Sequence, residues 1–173
     1  YLIEPTGLEL KAVDAEFIKK LAERSNVIPV IAKADSMTAA ERQKFKAQLS
    51  NDFSRQGINI YSFADYSDNE LGSNGFQIRK DMQPLSVIGS VEPRINDAKK
   101  GRPYPWGMAE CDNISHCDLS ILTTALFTVF REELKEVTED ALYEKYRTEN
   151  REKESPGNKK ASEKIIMQEQ LAN

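Results

Sequence analysis

The chain is poor in the residues that most often carry catalysis. It has one histidine, His116, two cysteines, Cys111 and Cys117, and one tryptophan, Trp106. Two cysteines cannot build a disulfide framework. With a single histidine beside them they also fall short of a zinc site, and a reducing cytosol suits them best. No apolar run approaches the ~18 residues of a membrane span. No G-x-x-x-x-G-K-[ST] segment is present, so no loop here can cradle phosphates in the P-loop manner. No D-x-x-G follows a strand to serve the γ-phosphate. Magnesium positioning and water activation are therefore outside the reach of these residues. No secretory signal opens the chain, and a start at Tyr1 rather than Met reads as a fragment or processed product.

What is present is an ordinary globular composition. The 173 residues are 39% hydrophobic and carry a net charge of −4. That length suits one domain, or most of one with a tail. The mild acidity argues against a nucleic-acid footprint.

Strand and helix patterns alternate. Residues 1–4 read as the end of a buried strand. Val13, Phe17 and Leu21 recur every fourth residue, the stripe of an amphipathic helix. Residues 27–32 read as a strand, although Pro29 removes a ladder donor. Thr38-Ala39-Ala40-Glu41 is a capping-box pattern, and Phe45, Leu49 and Phe53 extend one helical stripe to Gly57. Residues 58–63 alternate at period two and read as a strand, 65–75 as a loop, 76–82 as a short helix and 84–91 as a strand. Strands alternating with helices predict a parallel, doubly wound α/β sheet. Beyond it, 92–96 and 102–110 suit two hairpin arms joined through 96–101. One helix then follows to about Val137 and a second spans 139–151, with Tyr143 and Tyr146 packed under solvated charged faces. Ser155-Pro156-Gly157 breaks the pattern. The tail 152–173 is charged, with an apolar cluster that suits the start of a coiled coil.

The strand 27–32 ends in Lys33-Ala34-Asp35. Open α/β sheets bind ligands beyond the carboxyl ends of their strands. A carboxylate offers two acceptor oxygens, which match the adjacent ring N–H and amine of guanine and mismatch adenine. Lys33 can lay its methylene stem along a base. Solvated loop residues are the competing reading of a lone Lys-x-Asp. Gly89, at the next strand end, either lets a flat ligand approach the backbone or opens a turn. Arg102 can stack its guanidinium on a base. Trp106 suits either an interface anchor or aromatic cover for a small core. His116 reads most simply as a capping or packing residue, and Glu41 as the partner in the capping box.

Together these segments resemble a septin. The resemblance covers about residues 1–150. It runs through Tyr1-Leu2-Ile3-Glu4-Pro5, Leu10-Lys11, Val27 to Asp35, Val87-Ile88-Gly89-Ser90, Gly101-Arg102-Pro103-Tyr104-Pro105-Trp106-Gly107, His116-Cys117-Asp118 and Tyr143-x-x-Tyr146-Arg147. It implies a P-loop-GTPase-like, mostly parallel sheet seen in its C-terminal half, with a septin-type hairpin and C-terminal helices. Residues 1–151 would be the C-terminal part of the GTP-binding domain and 152–173 the tail. GTP or GDP is the implied ligand, with magnesium expected only alongside the N-terminal half. Lys33, Ala34, Asp35, Ser36, Glu41, Gly89 and Arg102 fall at nucleotide-binding positions, and Lys11, Trp106 and His116 at interface positions. The implied partners are other septin subunits, met through a nucleotide-containing interface and a terminal-helix interface. They would form cytoplasmic filaments at membranes, the cell cortex or division sites. A filament scaffold without nucleotide binding and a monomeric regulatory GTPase are the competing functions. Septins usually carry His where this chain has Leu8, and an apolar side chain cannot donate to a phosphate.

Overall fold

The computed structural model describes residues 1–7, 9–68, 76–90 and 100–154. Leu8, the loop tip 69–75, the expected hairpin arm 92–96 and the tail from 155 lie outside the described residues. The chain divides into two units, Tyr1–Leu134 and Lys135–Asn173.

The first unit is built on three short parallel strands, β1 (Leu2–Ile3), β2 (Val30–Ile31) and β5 (Leu85–Ser86), in the order β1-β2-β5. Leu2 pairs with Val30 and Ile3 with Ile31. Val30 in turn pairs with Leu85, and Ile31 with Ser86. Pro29 sits just outside this ladder, so its missing N–H costs no hydrogen bond; the expected strand 27–32 is shortened to Val30–Ile31. Helix α1 (Ala12–Ala22) joins β1 to β2, and α2 (Ala39–Arg55) follows β2. Alternation along the strands sends successive side chains to opposite faces. Ile3 and Ile31 join Ile18 of α1 and Phe45, Leu49 and Phe53 of α2 in one core cluster. Leu85 joins Phe63, Ile121, Ala125 and Phe130 in another. The sheet is thus covered on both faces, as a doubly wound sheet requires.

Both ends of α2 follow from sequence. Thr38 accepts from the Glu41 amide at 3.3 Å, and the Glu41 carboxylate accepts from the Thr38 amide at 2.8 Å. At the other end Gly57 adopts φ +62°. Its N–H donates to Ser54 and that of Ile58 to Phe53, which closes the helix with its last carbonyls satisfied.

Several expectations require correction. The segment 58–63 is not a strand. Tyr61 donates to the Val27 carbonyl at 2.8 Å, but Ile58 enters the first core cluster and Phe63 the second. The segment crosses between cores rather than running beside a ladder. The region 65–75 contains β3 (Tyr66–Asp68), and 76–82 contains β4 (Phe76–Ile78) and a 3₁₀ turn at Lys80–Met82 instead of a helix. β3 and β4 pair antiparallel. The residues 102–110 are not one hairpin arm but nearly a whole hairpin. β6 (Gly101–Tyr104) pairs with β7 (Gly107–Glu110) about a turn at Pro105-Trp106. Pro second and Gly fourth in such a turn is ordinary turn chemistry. Gly101 is required there: a Cβ would lie 2.3 Å from the Ala109 carbonyl oxygen.

The helical break near Val137 is also displaced. α3 (Leu119–Thr124) runs into a π-helical turn, Ala125–Val129, and the chain breaks at Phe130 (φ −101°, ψ 10°). α4 (Arg131–Glu136), a second π-helical stretch (Val137–Tyr143) and α5 (Glu144–Glu154) follow. Tyr143 and Tyr146 are exposed rather than packed beneath a charged face. Among the described residues no helix is long and apolar enough to cross a membrane.

Candidate functional site

The site forms where the backbone leaves β2. Lys33 adopts a left-handed conformation (φ 53°, ψ 46°), which turns the chain sharply into the 3₁₀ turn Ala34–Ser36. The Ala34 amide donates to the Val87 carbonyl at 3.0 Å, and the Val87 amide to Ile31 at 2.8 Å. These bonds tie the loop to the end of β5. Ser36 turns its hydroxyl back to the Lys33 carbonyl at 2.8 Å. Ala34 is fully buried, over Ile88, Cys111 and Cys117. The Cys117 thiol donates to the Cys111 carbonyl at 2.9 Å, and burial pushes the Cys111 thiol up. Cys111 is thus shifted away from the lowered pKa of a nucleophile.

Asp35 is the chemical centre. Its side chain is 2% exposed. Oδ2 accepts from Arg102 Nη1 at 3.1 Å and from the Tyr104 hydroxyl. Oδ1 is buried and has no hydrogen-bond partner among the described residues. Burial raises the carboxyl, but the bonds from Tyr104 and Arg102 outweigh it and hold it below the usual carboxylate range. The group is an anion at neutral pH with acceptor capacity still unused. Tyr104 is raised by the same bond, so its phenol stays a donor. Its ring stacks on Trp106 with centroids 5.0 Å apart and 12° between planes, and Trp106 is 83% exposed.

A cavity of about 360 Å³ opens beside Asp35, lined by Met37, Arg42, Tyr104, Trp106 and His116 among others. Arg42 donates to the His116 carbonyl and, at 3.1 Å, to that of Ser115. His116 Nδ1 accepts from the Glu110 amide at 3.0 Å, so the ring proton of the neutral form sits on Nε2. His116 thereby pins β7 to the start of α3. Gly89 leaves open space where a Cβ would stand.

The structure thus brings Asp35, Arg102 and, through Tyr104, Trp106 together, with His116 on the far wall. Ala34 lines the same cavity, whereas Lys33, Glu41 and Lys11 are not part of its lining. Lys33 Nζ pairs with Glu4 at 2.6 Å, both side chains half exposed. Glu41 is engaged in its capping box, and those bonds hold its carboxyl low. Lys11 is exposed at the N-cap of α1. A larger cavity of about 790 Å³, between the end of α2, residues 57–62 and Lys80–Gln83, contains none of the predicted residues.

Sequence reasoning missed two features. Tyr104 lies two residues from Arg102, hence on the same strand face, a signal that period-two reading of β6 would have exposed. Asp118 stands at the N-cap of α3 without capping it. Its Oδ2 instead accepts from Lys46 at 2.6 Å and from the Ser86 amide and hydroxyl at 2.8 Å each. That buried network joins α2, β5 and α3 below the site.

Comparison with known proteins places the whole described region in one family. Residues 1–160 match the septin family. The chain belongs to the septins. It is 43% identical over 152 residues to cell division control protein 3 of Candida albicans, covering 86% of this chain and 36% of that protein. It is 38% identical over 150 residues to the neuronal-specific septin-3 of Rattus norvegicus, covering 85% and 42%. The septin chain therefore spans well under half the length of these relatives. Among solved structures, the septin GTPase domain from Chlamydomonas reinhardtii superposes with a TM-score of 0.68 at 26% identity. It covers 85% of this chain and 56% of that one. The septin GTPase-domain fold, with its parallel sheet and C-terminal helices, is the fold of this protein.

Proposed function

We propose that this septin chain is the base-recognising part of a GTP-binding domain, with Asp35 reading the guanine of GTP or GDP. The observation that carries the reading is the ionised, buried carboxylate at the end of β2 with Oδ1 still unpartnered. A buried acceptor without a donor is costly, and the ring N–H or amine of guanine would supply one. Gly89 leaves room on one side, and Arg102 offers a planar cation against a base face. A site built on such hydrogen bonds discriminates strongly against bases that cannot make them. Ala34 and Ser36 shape the loop. Lys33 reaches a base by exchanging its exposed pair with Glu4, which is worth little. No residue here is assigned to phosphate, magnesium or hydrolysis.

The assembled role follows as part of the same proposal. Septin subunits would meet here through a nucleotide-containing face formed by Trp106 and His116, and Glu41 and Lys11 would contact the partner subunit. The helices after Asp118 would serve a second interface. Filaments in cell division are the resulting function, at the cortex or a membrane, and the tail 152–173 would lead into a coiled coil.

Asp35→Asn exchanges one acceptor for a donor. It should weaken GDP and GTP binding at least ~10-fold and favour xanthine nucleotides, as the removal of one charge-assisted hydrogen bond suggests. A competition titration of GDP, XDP and ADP checks this, and an unchanged guanine preference would overturn it. Because Tyr104 and Arg102 already engage Oδ2, a scaffold without nucleotide is the second reading. Both tests use the intact protein, and binding of none of the three nucleotides by its wild type would select the scaffold.

A further inference from the structure

We propose that Tyr104 is a latch on Asp35: its phenol holds the carboxylate oxygen that a guanine base needs, and base binding displaces it. The inference rests on Asp35 as the guanine reader and adds a regulatory step to that site. Guanine presents two adjacent donors and is best met by both oxygens of one carboxylate. Oδ1 is buried and without a partner among the described residues, so it lacks the donor a base would supply. Oδ2 is already engaged twice, by Arg102 and by the Tyr104 hydroxyl. One of the two must yield.

The phenol is the one that yields. Arg102 adds charge that stabilises the carboxylate whether or not a base is present. The phenol contributes a neutral donor, and a donor from the base can replace it one for one. Exchange leaves Tyr104 without its anchor. Its ring is stacked on Trp106 at the tip of the hairpin. The two arms are paired in register from Gly101–Glu110 to Tyr104–Gly107, which couples Tyr104 to the rest of the hairpin. Occupancy of the base site is thereby transmitted to Trp106, which is exposed and faces the same cavity. Tyr104 is a positioning residue, and its removal should strengthen the very interaction that a structural role would weaken.

Tyr104→Phe keeps the ring and its stack and removes only the hydroxyl. GDP titration of the wild type and this variant, with ADP as control, is the decisive measurement. Trp106, the single tryptophan, gives a fluorescence readout of the hairpin. The expected result is GDP binding tighter by about three- to tenfold, the range of one neutral hydrogen bond, with ADP unchanged. Trp106 emission of the nucleotide-free variant should resemble that of the GDP-bound wild type. Equal or weaker GDP binding by Tyr104→Phe overturns the latch and leaves the phenol as a support for Asp35. Both titrations use the intact protein, and absence of GDP binding by both its wild type and its Tyr104→Phe variant overturns the guanine reading, and the latch with it.

Discussion

In α1, Val13, Phe17 and Leu21 recur every fourth residue; in α2, Phe45, Leu49 and Phe53 do the same. The α2 stripe is buried, each residue 3% exposed or less. The α1 stripe faces out, with Val13 78%, Phe17 53% and Leu21 37% exposed. The core side of α1 is made instead by Ala15 and Ile18, with Ala22 partly buried. Those three positions have helical spacing too, so α1 carries two apolar faces and the smaller one wins the sheet. Phe17 keeps a contact with the Tyr1 ring, centroids 5.5 Å apart. The ends differ in the same sense. α2 has a complete capping box, whereas Lys11 at the N-cap of α1 makes no side-chain cap. Periodicity identifies a face; it does not say what covers it.

The largest expected effect that tests this contrast is in the α2 stripe. Phe53→Ala should cost about 3–5 kcal/mol by removing a buried ring and leaving a cavity. Phe17→Ala should cost under about 1 kcal/mol, within the range of an aromatic pair at a half-exposed site. Urea midpoints measure both, and similar losses would break the comparison.

Next in size is the buried polar edge of α2. Lys46→Ala leaves the Asp118 carboxylate with a lost ion pair in the interior, and breaking a buried pair by removing one partner costs about 3 kcal/mol. A stability within ~0.5 kcal/mol of wild type, the range of an ordinary surface substitution, would mean that Ser86 alone satisfies Asp118.

The caps come third. Thr38→Ala should cost about 1 kcal/mol, and Lys11→Ala close to nothing. Acid sharpens this pair. The capping bonds hold the Glu41 carboxyl below its ordinary value. A lowered folded pKa contributes stability that is fully present above the unfolded value of about 4.3. That contribution is lost as pH falls through the folded value. Amide-exchange protection of the first turn of α2 should therefore fall on acidification in the wild type and change less in Glu41→Gln. A first turn equally acid-sensitive in both proteins would remove the cap from the account.

The smallest effect is expected on the exposed α1 face. Val13→Ser should leave stability within about 0.5 kcal/mol. A loss comparable with that of Phe53→Ala would show that thermal unfolding sees this face as core.

Much of the frame was legible because it depends on local chemistry. The Thr38–Glu41 box, the Gly57 terminus and the β–α alternation that makes the parallel sheet follow from residues a few positions apart. The segment 58–63 alternates at period two yet joins no ladder, because its two ends serve different core clusters. The hairpin turns at Pro105-Trp106, and its local signal lies in Pro105 and Gly107. At the site, Asp35 and Arg102 were named from order along the chain, but their contact spans 67 residues of separation.

By itself the sequence determined the capping box and the glycine terminus of α2 and the residue types available for base recognition, because each is set within one turn or one strand. Tertiary structure alone decided that Tyr104 and Arg102 converge on Asp35, that Asp118 turns from its helix to Lys46 and Ser86, and that the bulky stripe of α1 faces outward. Those outcomes depend on which surfaces meet when helices rotate and hairpins fold back, and no local pattern records that choice.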